Sequence, residues 1–137
     1  MDGGSGTDTL VLAGLGTIDF TAIANNRIEG IEAFDVTRGG NDTIVLGALD
    51  ILHFSDTPHA GFTGADSHKR LVIHGDAGDS LDLVDFDPGS GGAYEWGLVA
   101  SDRTLDGSAG GGFDFYNLVR NSAVVASVAV DADMTIL

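Results

Sequence analysis

Four aspartates lie in glycine-bent stretches where carboxylates and main-chain carbonyls can converge. Asp8 follows Gly3-Gly4-Ser5-Gly6-Thr7, Asp42 follows Gly40-Asn41, and Asp76 and Asp79 share the run Gly75-Asp76-Ala77-Gly78-Asp79. Glycine lets the backbone turn tightly and aim carbonyl oxygens inward, while aspartate adds charge. Such all-oxygen donor sets suit calcium, a hard cation that takes six to eight oxygens. The candidate ligands are the Asp8 carboxylate with the carbonyls of Gly3, Ser5 and Gly6, then Asp42 with Gly40, and the paired carboxylates of Asp76 and Asp79. For Asp42 the alternative is an aspartate that bonds its own backbone two residues on and needs no ion. Asp131 and Asp133 fall on one face if their strand is regular, and they equally read as charge guarding a sheet edge.

The charge balance points the same way. Eighteen aspartates and three glutamates (Glu29, Glu32, Glu95) face six basic residues, for a net charge of -15. Such an imbalance repels itself unless cations neutralise it, and it disfavours nucleic acid or an anionic membrane as partner. No apolar run approaches a membrane span, and the N-terminal residues lack the basic and apolar regions of a signal peptide. The absence of cysteine removes disulfides and thiolate metal sites.

Other chemistries find little support. His53, His59, His68 and His74 show none of the close spacings of a zinc site. Ser5, Ser90 and Ser108 each miss one flanking glycine of the G-x-S-x-G nucleophile motif, and no phosphate-binding loop is present, so the chain reads as non-enzymatic. Asp87-Pro88 reads as an ordinary turn. Tyr94, Trp96, Phe113, Phe115 and Tyr116 suit cross-strand packing, with a sugar-stacking surface as the alternative.

Short apolar bursts separated by Gly, Asp, Asn and Ser make the chain all-β. Strands are predicted at Thr9–Leu12, Thr17–Phe20, Ile31–Val36, Thr43–Leu46, Leu71–His74, Leu81–Phe86, Glu95–Ala100, Phe113–Val119 and Ala123–Val130, with a short final strand in 133–137. In the last long run Val124, Ala126, Val128 and Val130 alternate with Val125, Ser127, Ala129 and Asp131, the pattern of a strand with one face inward. Ala48–Phe54 is ambiguous between helix and strand, and 55–69 and 87–93 read as loops. Asp8, Asp42, Asp79 and Asp114, spaced by 34, 37 and 35 residues, each precede a similar apolar pattern, "DTLVL", "DTIVL", "DSLDL" and "DFYNL". A recurrence of turn and strand at this spacing suits a solenoid.

Residues 3–11 fit G-G-x-G-x-D-x-U-x at every defined position and resemble the calcium-binding RTX repeat of parallel β-rolls. "RGGNDTIVL" keeps Gly40, Asp42 and Ile44 but has Thr37 and Arg38 at the first two glycine positions, and "HGDAGDSLDL" is one residue short between Gly78 and Asp79. Together with "RIEGIEAFDV", "YEWGLVA", "FDFYNLV" and "SVAVDADMTIL", these stretches make nearly the whole chain similar to a module near the C-terminal end of large bacterial RTX adhesins. The inserted "TPHAGFTGADSH" and the glycine-rich "DGSAGGG" depart from that pattern.

The resemblance implies a single domain over 1–137: a last RTX-type repeat at 1–12, solenoid-like coils over 13–86, and antiparallel capping strands over 87–137. A β-sandwich is the alternative architecture. It further implies type I secretion to the bacterial surface, with "VAVDADMTIL" contributing to the export signal, and upstream RTX repeats of the same protein as partner, since a turn of this kind shares each ion with the turn of the next coil. The expected function is a calcium-binding extracellular module that continues and caps a β-roll. The rival is an adhesion domain that binds a surface glycan or peptide through calcium.

Overall fold

A computed structural model describes residues 2–4, 6–14, 16–23, 27–54, 69–84, 94–103, 112–120 and 123–137. The chain passes four times from one sheet to another. β1 (Thr9–Val11), β3 (Ala33–Asp35), β5 (Lys69–His74) and β9 (Ala123–Asp131) pair in parallel in the first sheet. Their successors, β2 (Thr17–Asp19), β4 (Thr43–Leu46), β6 (Ser80–Leu83) and β10 (Thr135–Ile136), pair in parallel in the second. Between the third and fourth rounds, β7 (Tyr94–Arg103) and β8 (Phe113–Arg120) form an antiparallel pair that joins the first sheet beside β9. The first sheet therefore runs β1-β3-β5-β9-β8-β7 and the second β10-β6-β4-β2.

Register explains why these short strands hold together. Leu10, Phe34, Ile73 and Val130 stand side by side across the first sheet. Ile18, Ile44, Leu81 and Ile136 do the same across the second. Both rows belong to one core, so the two sheets face each other over a shared apolar interior. Strands of three or four residues are marginal alone, and burying aligned apolar side chains at roughly 1.5–3 kcal/mol each supplies the missing stability.

The returns from the second sheet to the first carry the insertions. The first holds a 3-10 turn at Phe20–Ala22, with Asp19 as its cap accepting the Thr21 N–H. The second holds helix α1 (Ala48–Phe54), which resolves the ambiguous segment. Asp50 reaches back to accept the Gly47 N–H at 2.8 Å, the return half of a capping box, and Ile51 and Phe54 face the core. Phe20, Phe34 and Phe54 close around one another, with centroids 5.0 to 5.3 Å apart, and fasten both insertions to the first sheet.

Three sequence expectations change. β9 is buried on both faces, because Ala126, Val128 and Val130 enter the main core while Ala129 lies with Ala33 and Val72 against Phe113 and Phe115. Antiparallel pairing does not fill 87–137, since β9 and β10 also rejoin the two parallel sets. The four-aspartate repeat divides. Asp42 and Asp79 are register equivalents, whereas Asp8 aligns with Glu32 at the other edge and Asp114 lies within β8.

Truncating the ring that joins all three elements is expected to be expensive. Phe34→Ala should lower stability by about 3–5 kcal/mol in urea denaturation. Leu98→Ser, at a position 57% exposed, should stay within about 0.5 kcal/mol of the parent.

Candidate metal centre

An amide just ahead of a parallel strand has no ladder partner, and a buried one must find an acceptor. Here the acceptors are carboxylates from the following round. Asp42 Oδ1 accepts the N–H of Gly16 at 2.8 Å. Asp79 Oδ1 accepts the N–H of Asp42 at 2.9 Å, and its Oδ2 takes the N–H of Asp76 at 2.9 Å. Across the molecule, Glu32 Oε2 accepts the N–H of Asp8 at 2.9 Å. Each acid thus bonds the residue that register places beside it one round earlier: 16 beside 42, 42 beside 79, and 8 beside 32. Asp42, Asp79 and Glu32 are only 2%, 0% and 1% exposed, so these charge-assisted bonds offset a substantial desolvation cost.

Two carboxylate oxygens are left over among the described residues. Asp8 Oδ2 and Asp42 Oδ2 are buried without a hydrogen-bond partner. Each sits where glycine turns of the first and second rounds meet. A Cβ on Gly39 would collide with Asp42 Oδ2 and crowd the Gly14 nitrogen. A Cβ on Gly3 would collide with the Gly30 carbonyl and press on Asp8. Only glycine fits these two approaches.

The sequence candidates separate accordingly. Asp8 and Asp42 retain a donor oxygen for an ion. Asp79 differs from them in that each of its oxygens already accepts one backbone amide. Asp76 is exposed and is held above the usual carboxylate range, first by desolvation and then by Asp79, Asp131 and Asp133. Gly3 and Gly6 lie in the Asp8 turn, Gly6 with φ +115, and Gly40 has open space where a side chain would be. Ser5 lies outside the described residues, as do His59, His68, Asp87, Pro88, Ser90 and Ser108. Asp133 donates its N–H to Asp131 Oδ1 at 3.1 Å, so this pair forms a local turn and not two carboxylates on one strand face.

Glu32, Gly14 and Gly39 were not legible as site residues. Glu32 carried one signal: an acid directly ahead of "AFDV", where Asp8 stands ahead of "TLV". Trp96, Phe113, Phe115 and Tyr116 pack against the core clusters. Trp96 and Tyr116 lie against the main core, and the Trp96 indole N–H donates to the Val84 carbonyl at 3.2 Å. Among the described residues no three His, Asp or Glu side chains converge on one point. An ion at Asp8 or Asp42 would therefore draw most of its oxygens from the glycine turns, which fits the chemistry of calcium better than that of zinc.

No family model, curated protein or solved structure matches this chain.

Asp79→Ala should cost about 2–4 kcal/mol in denaturant titration, because it strands two amides. Asp19→Ala, which removes a surface cap, should cost about 1 kcal/mol. The raised pKa of Asp76 means that the folded state holds its proton more tightly than the unfolded state. Its favourable contribution is complete at low pH and is lost as pH rises through the folded-state pKa. In chelator, Asp76→Asn should therefore raise Tm at neutral pH, and the gain should fade below about pH 4, which thermal scans across pH will check.

Proposed function

We propose that this chain is a non-enzymatic, calcium-binding extracellular module, built as a β-roll, that continues and caps the upstream RTX repeats of a type I secreted bacterial surface adhesin. The observation that carries the reading is the pair of buried carboxylate oxygens without partners, each beside a glycine turn, with Asp8 inside a complete nonapeptide motif. A buried carboxylate oxygen without a donor carries a desolvation cost, and calcium supplies compensating charge in an all-oxygen setting. The roll is supported by the matched strand order of the two parallel sets, and the cap by the β7–β8 pair beside β9.

Coupled folding follows from the charge. At -15 the unliganded chain repels itself, and scarce calcium inside the cell keeps it expanded for export. Extracellular modules that bind calcium at about 10⁻⁴–10⁻³ M then gain structure outside. Asp8 and Asp42, at opposite corners, each hold an ion, and the glycine turns shape the space around each. A sugar platform gains no support from Trp96 and Tyr116, whose rings are engaged with the core.

Calorimetry in chelator and in about 10 mM calcium tests the reading. Mass action predicts a gain of about 1.4–2.7 kcal/mol for each occupied site. The same concentration of magnesium should give far less, since that ion dehydrates reluctantly and demands stricter geometry. An identical Tm in chelator and calcium would overturn the proposal.

A further inference from the structure

Successive turns between the two sheets meet through different chemistry, and the difference is directional. Between rounds one and two, Gly14 and Gly39 close on the partnerless Asp42 Oδ2. Between rounds two and three, the neutral Asn41 side chain lies over Gly78, whose φ of +112 opens the turn toward it. Between rounds three and four, the Met134 thioether lies on Gly75. The filler passes from a carboxylate oxygen without a partner through an amide to an apolar group. The first of these contacts leaves one oxygen of a buried carboxylate without a donor, and at the next Asp79 is satisfied by two amides.

We infer that calcium acts on only the first half of the molecule: the ion orders rounds one and two (β1–β4), while rounds three and four with the β7–β8 pair fold without metal and serve as the platform on which the first half assembles. Asp79 is a structural residue in this arrangement. Its bond to the Asp42 amide holds the Asp42 turn against the platform while Asp42 Oδ2 is left for the ion. Repeat architectures permit such a division, because each round contacts chiefly its neighbours and stability is close to a sum of local terms.

The inference rests on the calcium reading and adds its location. Hydrogen exchange on the full chain, in chelator and in saturating calcium, reads it strand by strand. Amides of β1–β4 should gain about tenfold or more in protection on adding calcium, and those of β5, β6, β8 and β9 should change by less than about twofold. Asp42→Asn should abolish the gain in β2 and β4. Asp79→Asn should lower Tm in both conditions while leaving the calcium increment intact. A comparable gain in β5, β6 and β9 would overturn the division while leaving calcium binding standing. No gain in any strand would overturn the calcium reading itself, and the division with it.

Discussion

The structure depends on satisfying the backbone amides at the corners where parallel strands begin. Inside a sheet the ladder serves these groups, but one residue ahead of a strand it does not. This chain meets the requirement with acids borrowed from the next round: Glu32 for Asp8, Asp42 for Gly16, and Asp79 for Asp42. The same bonds keep adjacent rounds in register. A one-residue slip of β4 against β6 would remove Asp79 from the Asp42 amide and turn Ile44 out of the core. Charge and apolar pattern thus specify one alignment twice.

Negative charge is the cost of this device. Aspartate is short enough to reach a neighbouring amide from a tight corner, which accounts for part of its dominance over glutamate. Where a second amide is within reach, as Asp76 is for Asp79, both oxygens of the acid are used. Where it is not, as at Asp42, one oxygen is stranded; Asp8 Oδ2 is likewise buried without a partner, and the proposed ions take up both. The returns on the other side of the molecule, with their 3-10 turn, helix and antiparallel pair, admit longer insertions because the Phe20–Phe34–Phe54 cluster and the core anchor them.

Much of the strand content was legible because β-branched and apolar residues begin directly after Asp or Gly punctuation. Thr43–Leu46 has the predicted bounds, and Leu71–His74 and Phe113–Val119 differ by one or two residues. Ala48–Phe54 stayed ambiguous because seven residues give too few turns to display a helical period, although Asp50 three residues beyond Gly47 was a capping signal. The equivalence of Asp8 with Asp42 misled for a physical reason. Similar turn chemistry recurs at both edges of the molecule, so a spacing of about 34 residues joined opposite corners. The true partner of Thr9 is Ala33, only 24 residues on and in a segment of different composition. The stranded oxygens were not legible at all, because each depends on which amide three-dimensional register delivers to it.

The central claim is that Asp8 and Asp42 hold cations that Asp79 does not need. Long-wavelength anomalous diffraction from crystals grown in saturating calcium tests this most directly. The account predicts anomalous peaks beside the free oxygens of Asp8 and Asp42 and none against Asp79. Water alone at the first two positions, or a peak bound to the Asp79 carboxylate, would contradict it.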